Sequence, residues 1–466
     1  MSVPAGRPSP LRVAVVGSGP AGFYAAEALL RNVEVPVEVD VLERLPTPYG
    51  LVRGGVAPDH PKIKSVDRVL EKTAARPSFR FLGNVTLGRD LSVEELRAHY
   101  HQVVYATGSE ADRRLGIPGE GIPGSTPATV FVGWYNGHPD YRPARIRLSA
   151  GRAAVVGNGN AAVDVTRILL RTPAELAATD MPGYAREALA ASRVREIWLL
   201  GRRGPAQAAF TPKELEELVG LDDTDVRVDP SEFALDPASE AEAARSPQRQ
   251  KNLEILRKIA ARGPADKGRI VHLRFRVSPT EFLADASGEL RALTLARNSL
   301  EPGPDGSVVA RPTGELETLE VGLAITAAGF AADRIPGVPF DDRALTVANV
   351  DGRVVDPATG RVVPNEYVVG WARSGAKGLI GSHRSGSAEV VGRMLEDWGA
   401  ETPGPRELPP RQAVDALLAG RGVPVVGFEA WKRLDEVEIS RGALRGAPRE
   451  KLSDVKAMLD LLGEGA

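Results

Sequence analysis

The chain has 466 residues, 42% hydrophobic and 26% charged, enough for two or three domains with sizeable cores and too long for one small domain. A formal net charge of -2 excludes the basic balance of a nucleic-acid binder, so any charged partner must be met by a local patch. Cysteine is absent, which removes disulphides, thiolate-ligated clusters and Cys-x-x-Cys redox chemistry; any redox function needs a bound organic cofactor. The opening MSVPAGRPSP lacks an apolar signal core, and no apolar run approaches the roughly 20 residues of a membrane span; the expectation is a cytoplasmic protein.

In chain order, Leu11 to Val16 reads as a buried strand, followed by a glycine turn, a helix to about residue 32 and a second strand from Val37 to Leu42. This β-α-β unit carries Gly17-Ser18-Gly19-Pro20-Ala21-Gly22 at its turn. Glycines there permit a tight turn and close approach of backbone to a pyrophosphate, and the helix N-terminus offers unpaired N–H groups. Glu43 ends the second strand, where an acid accepts hydrogen bonds from a ribose 2′-hydroxyl. Taken alone, this unit suits FAD and NAD equally.

The same grammar returns from Arg152 to Val156, with Gly157-Asn158-Gly159-Asn160-Ala161-Ala162 at the turn, a helix to Leu170 and a strand from Glu196 to Leu200. Here the closing residues are Gly201-Arg202-Arg203-Gly204. A 2′-phosphate repels a carboxylate and favours forked, permanently charged guanidinium donors, so this unit is expected to prefer NADPH to NADH. Two dinucleotide sites of opposite ribose chemistry imply hydride transfer between NADPH and a flavin. Farther on, 221–265 reads as a polar loop followed by a helix, 300–317 as a turn-rich hairpin, and Pro403 to Pro410 as a proline-rich connection to a helical C-terminal part.

The stretch Leu42-Glu-Arg-Leu-Pro-Thr-Pro-Tyr-Gly-Leu-Val-Arg-Gly-Gly-Val-Ala-Pro-Asp-His-Pro61 resembles the adrenodoxin-reductase type of ferredoxin-NADP reductase. Val155 to Asn160, Gly201 to Pro205 and Gly370-Trp-Ala-Arg-Ser-Gly-Ala-Lys-Gly-Leu-Ile-Gly381 fall in that family's order and spacing. The resemblance covers nearly the whole chain and is weakest over 225–320. It implies an α/β fold of two Rossmann-like doubly wound domains, with an NADP domain (113–329) inserted into an FAD domain made of both chain ends (11–112 and 330–466). It also implies transfer of hydride from NADPH to FAD and then of single electrons to a small acidic ferredoxin- or adrenodoxin-like protein, one of whose outlets is a cytochrome P450. No obligate oligomer is expected.

By the same resemblance, Glu43, Leu51 and Val85 look like FAD contacts, and Trp371 with Gly378, Leu379 and Ile380 like the flavin-side platform. Arg113, Asn158, Gly159, Asn160, Ala161, Arg202, Arg203 and Glu214, with Gly378, resemble the NADP contacts. The late strand ends in Gly370-Trp371 where most two-dinucleotide flavoproteins have Gly-Asp, which separates the chain from generic disulphide reductases. Independently of the family, Gly378 to Ser382 leads into a helical stretch whose N-terminus suits the flavin N1–C2 carbonyl edge, where negative charge gathers on reduction. The resemblance suggests that His60 pairs with an acid of the Pro212–Leu218 helix, Glu217 first, beside the nicotinamide. Arg245, Arg249, Lys251, Arg257 and Lys258, or Lys62 and Lys64, are candidate docking cations, against the alternative of ordinary solvated faces. An FAD monooxygenase and a non-catalytic redox sensor remain the competing readings; a glutamate-synthase-like subunit lacks its cysteine-rich region here.

Overall fold

The computed structural model describes residues 10–303, 307–378, 380–400 and 406–463, so Leu379 and residues 403–405 of the proline-rich connection lie outside the described residues. The chain divides into two compact units, one of Met1–Ala111 with Gly329–Ala466 and the other of Asp112–Ala328.

The first unit opens with β1 (Leu11–Val16), α1 (Pro20–Arg31), β2 (Val37–Glu43), β3 (Phe79–Gly83) and β4 (Gln102–Tyr105). β1 and β2 are Val-rich and buried on both faces, as parallel strands covered by helices require.

The second unit contains β5 (Ser125–Pro127), β6 (Arg152–Val156), α2 (Asn160–Leu170), β7 (Glu196–Leu200), α3 (Pro212–Val219), β8 (Thr224–Val228), α4 (Pro247–Arg262) and β9 (Arg269–Arg274). Then come β10 (Val277–Ala284), β11 (Leu290–Pro302), β12 (Val308–Glu320) and β13 (Leu323–Thr326). Its main sheet is wholly parallel in the order β5-β13-β6-β7-β9-β8, and β10-β11-β12 form a separate antiparallel sheet. The expected hairpin around 300–317 is the far end of β11 and β12, two strands of 13 residues each.

The reading of 221–265 as a loop and one helix is corrected. β8 closes the sheet edge and a helix, Pro237–Ala244, precedes α4. Acidic composition hid the strand because its one buried charge, Asp225, is satisfied by a neighbour in the strand and by groups 37 and 40 residues farther on. It accepts from Arg227 at 2.6 Å, from Arg262 at 3.1 Å and from the Ala265 N–H at 2.9 Å, and these bonds hold its carboxyl below the usual range despite burial.

The chain then returns to the first unit with β14 (Asn349–Val350), β15 (Arg353–Val355), β16 (Val362–Val368), α5 (His383–Ala400) and α6 (Phe428–Ala443). The completed sheet runs β14-β15-β16-β4-β1-β2-β3, with β16 parallel to β4 and β14 and β15 antiparallel at the edge. Ion pairs fasten the returning segment to the opening one. Buried Asp40 of β2 accepts from Arg80, Arg411 and the Tyr100 hydroxyl. Arg53 makes two bonds, 2.8 and 2.5 Å, to Glu438, whose side chain is fully buried in α6. No helix among the described residues is long and apolar enough to cross a membrane.

Candidate functional site

In the first unit, the turn between β1 and α1 is shaped by three glycines with different duties. Gly17 has φ +105°, and a Cβ there would lie 2.5 Å from the Ala106 carbonyl oxygen; one on Gly22 would lie 2.1 Å from the Gly17 oxygen. Those two allow the turn and the packing of α1 on the sheet. A Cβ on Gly19 would meet no protein atom within 4 Å, so its backbone is open to a ligand. Across the turn, the Tyr49 N–H donates to the Ser18 carbonyl at 3.1 Å, and Gly50, at φ +47°, comes within 3.0 Å of the Gly19 Cα as judged from its Cβ position. The Pro46–Pro61 loop is thus seated on the fingerprint itself.

A single cavity of this unit is lined by Gly17, Ser18, Gly19, Pro20 and Ala21, and by Glu43, Leu51, Val85, Trp371 and Ile380. Sequence reasoning had placed all ten in one site. Gly22 is buried behind the turn, and Gly378, exposed with φ +85°, is not on the cavity wall. Sheet order gives the cavity its length. Glu43 ends β2, one strand to one side of β1, whereas Trp371 follows β16, two strands to the other side. Three strand spacings of roughly 4.8 Å separate the two ends, so the cavity suits an extended molecule laid across the C-terminal edge of the sheet.

Glu43 is half-buried. It accepts from the Ser18 N–H at 3.1 Å, the Ser18 hydroxyl at 2.7 Å and the Leu45 N–H at 3.1 Å. Burial nevertheless pushes its carboxyl above the usual value, only partly offset by those donors. A desolvated carboxylate still short of donors is what a ribose diol would satisfy. The chain beyond Glu43 contributes Arg44, paired with Glu110 at 2.8 Å; both line the cavity with Asp333, whose carboxyl is also raised, by burial first and by Glu110 second. At the far end the Trp371 ring stacks on Phe330, 6.1 Å between centroids and 14° between planes, and its indole N–H donates to the Lys377 carbonyl at 3.0 Å. His383, the first residue of α5, lines the cavity beside it. The sequence reading missed Glu110, Asp333 and His383. His383 had a signal, standing one residue past the Gly378–Ser382 turn at a helix start; Asp333 had none.

In the second unit, the turn between β6 and α2 repeats the device. Gly157 has φ +134° with its Cβ position 2.3 Å from the Ala327 oxygen, and Gly159 is open. Asn158 and Asn160 tie this turn to the chain after β7. The Asn158 carbonyl accepts from the Ala209 and Phe210 N–H groups at 3.0 and 2.9 Å, and the Asn160 side-chain oxygen accepts from the Thr211 N–H at 2.8 Å. Arg202 is exposed and Arg203 half-buried. Burial lowers the Arg203 pKa, and Arg202 and Arg249 lower it further while Glu242 alone opposes them. Three guanidiniums against one carboxylate form a cationic cluster that an anion would complete.

Arg249 belongs to this group, since it is ion-paired with Glu242. Lys251 and Lys258 both bind Glu254, at 3.1 and 2.6 Å. The proposed basic docking cluster on α4 therefore dissolves into one site residue, one self-neutralised helix face and the exposed Arg245 and Arg257. Glu214 and Glu217 converge within this unit on Arg167 of α2, whose side chain is fully buried, at 3.1 and 3.7 Å, with Asp164 at 2.7 Å. A buried arginine in the middle of an amphipathic helix carries no sequence signal, and it was missed. Arg113 is exposed at the start of this unit, Ala161 lies in the first turn of α2, and His60 is buried in the first unit just before a one-turn helix, Pro61–Lys64.

Two β-α-β units with glycine turns, one unit interrupting the other in sequence, define the class of two-dinucleotide α/β oxidoreductases. A family profile described as pyridine nucleotide-disulphide oxidoreductase matches residues 11–179. The chain is 42% identical over 459 residues to the NADPH-ferredoxin reductase FprA of Mycobacterium tuberculosis, covering 97% of this chain and 98% of that protein. It is 43% identical to the mitochondrial NADPH:adrenodoxin oxidoreductase of Mus musculus, covering 97% and 92%. The solved structure of M. tuberculosis FprA in complex with NADPH superposes with a TM-score of 0.92 at 41% identity, over 97% of this chain and 100% of that one. The chain belongs to the family of adrenodoxin-type NADPH-ferredoxin reductases.

Proposed function

We propose that this protein is an FAD-dependent reductase that accepts hydride from NADPH and delivers single electrons to a ferredoxin-like iron-sulphur protein. The observation that carries the reading is the opposite charge at the end of the strand that follows the glycine turn in each unit: Glu43 in one, Arg202 and Arg203 in the other. The first unit is the FAD-binding domain and the second the NADP-binding domain. The protein residues fit FAD. The Gly19 backbone is open to a pyrophosphate at the N-terminus of α1, Glu43 is short of donors, and the cavity is elongated across four strands. When bound, FAD supplies the exchange of a two-electron hydride for single electrons.

The chain's own residues bind, orient and exclude water. Glu43 accepts from ribose hydroxyls. Leu51, Val85 and Ile380 present apolar walls, and the Trp371–Phe330 stack closes the end farthest from Glu43. Arg202 and Arg203 take the 2′-phosphate, with Asn158, Gly159, Asn160 and Ala161 at the pyrophosphate and Arg113, Glu214 and Gly378 as further NADP contacts. Leu379 completes the flavin-side platform. His60 and Glu217 order the nicotinamide position, a role that His60→Gln tests: unchanged NADPH affinity and flavin reduction would refute it. The acceptor is proposed as a small acidic protein, with an adrenodoxin-like carrier feeding a cytochrome P450 as one outlet, and the reductase as a cytoplasmic monomer. Arg245 and Arg257, or Lys62 and Lys64, are the proposed docking cations, since Arg249, Lys251 and Lys258 are paired as described above.

The test is anaerobic stopped-flow with NADPH and a panel of ferredoxins, following flavin bleaching and acceptor reduction together. The reading predicts both, with acceptor reduction slowed by added salt. Bleaching with no transfer to any iron-sulphur protein would overturn it.

A further inference from the structure

Trp371 and His383 stand at the cavity end opposite Glu43. Their rings meet edge to face, 6.1 Å between centroids and 79° between planes, and both line the cavity with Ile380 and Ala21. Residue 383 starts α5, an 18-residue helix whose first-turn N–H groups carry partial positive charge. Ser387, one turn on, fixes that end of the helix by donating its hydroxyl to the Ala21 carbonyl at 3.1 Å. An imidazole is thus held, by a buried anchor, at the part of the cavity that receives the redox end of an extended cofactor.

We propose that His383 is a proton-holding residue of the flavin site, taking up one proton from solvent when the bound flavin is reduced. The inference rests on the reading that this cavity holds FAD. Hydride brings two electrons and one proton equivalent, leaving a negative charge on the reduced ring system; the proton that balances it goes to the imidazole. FAD, NADPH, neutral histidine and one solvent proton become anionic reduced flavin, NADP+ and histidinium, with charge conserved.

The surroundings let the imidazole switch. Burial holds His383 below the ordinary histidine value, which favours the neutral imidazole. Three charged groups on the elements around it, Arg384, Glu27 and Arg44, are already paired. Arg384, its neighbour, pairs with Glu27 of α1 at 3.0 Å, and Glu27 also binds Arg31. Tyr24 of α1 is held protonated by burial. Along the cavity, Arg44 binds Glu110, and burial raises the carboxyls of Glu43 and Asp333. The loop before α5 adds two cations, half-buried Arg373 and exposed Lys377, whose backbone carbonyls accept from the Asn349 amide and the Trp371 indole N–H. A new negative charge within about 4–6 Å raises a histidine pKa by roughly 1–3 units, which opposes the effect of burial and favours the protonated imidazole.

The experiment is the pH dependence of the flavin midpoint potential in the holoenzyme, for the native chain, His383→Gln and His383→Lys. Around pH 7 the native protein should take up close to two protons per two electrons, and each variant one, because glutamine never titrates and lysine is charged in both states. His383→Lys should also have the higher potential. A native slope of one proton per two electrons, or variants that keep the native slope, would overturn the proposal while leaving FAD binding intact. A chain that retains no flavin absorbance after reconstitution would overturn the FAD reading and the proposal together.

Discussion

The two nucleotide units use the same backbone device and finish it with opposite charge. Gly17 and Gly157 both adopt positive φ and press against the carbonyl oxygen of a neighbouring strand end, Ala106 and Ala327; Gly19 and Gly159 are both open. After the next strand the first unit supplies one carboxylate, raised by burial, and the second supplies a cluster of guanidiniums, one of them lowered by burial and by its like-charged neighbours. In each case the surroundings disfavour the charged form, and on the proposed assignment a different ligand relieves each: a hydroxyl donor in one case and a phosphate in the other. On that assignment the turn admits a dinucleotide, and the residue closing the strand after it selects which.

The comparison breaks most severely at the turn. Gly17→Val forces a β-branched residue to φ +105° and into the Ala106 carbonyl, so the purified protein is expected to carry no flavin, read as loss of visible absorbance, while the second unit still binds NADP+ in calorimetry. A flavin-replete variant would show that the close approach is not required. A milder cut is Glu43→Gln. Replacing a charged acceptor by a neutral one gives up roughly 1 kcal/mol of hydrogen bonding, about a five- to tenfold weaker FAD dissociation constant by fluorescence titration, with NADPH affinity unchanged.

The smallest expected effect concerns how the discontinuous unit is sealed. Glu95 binds Arg421 of the returning segment at 2.9 Å and caps its own helix through the Ser92 N–H at 2.8 Å, which hold its carboxyl down at about 2. A depressed acid contributes stability that is complete above the ordinary glutamate value and lost as pH falls through about 2. Because the pair is largely exposed, Glu95→Gln should cost under about 1 kcal/mol at pH 7. Thermal melts of the two proteins should converge as the pH falls from 5 towards 2; a gap independent of pH would assign the effect to packing instead.

What could be read from the chain without coordinates follows from how local each feature is. A turn, its flanking strands and the residue closing the second strand lie within about 30 or 45 residues, so Gly17 to Glu43 and Gly157 to Arg203 were legible from spacing and residue type. Trp371 and Ile380 needed a resemblance, because nothing local ties residue 371 to residue 43; β16 reaches the first sheet only after the second unit has intervened. β8 was hidden by charges whose partners lie 37 to 40 residues away. Arg167 and the inward turn of Arg249 were invisible for the same reason. A guanidinium looks alike in sequence whether it meets solvent or, like Arg167, is buried among three carboxylates.

The account stands most directly on the cofactor preference of flavin reduction. Stopped-flow bleaching of the native protein should half-saturate at far lower NADPH than NADH. In the chain carrying Arg202→Gln with Arg203→Gln, the NADPH requirement should rise on the order of a hundredfold, at two charge-assisted contacts of roughly 1.5 kcal/mol each, with little change in the limiting rate and with NADH nearly unaffected. Equal use of the two nucleotides by the native protein, or an NADPH preference that survives the double substitution, would contradict the assignment of Arg202 and Arg203 to the 2′-phosphate and with it the division of labour between the two units.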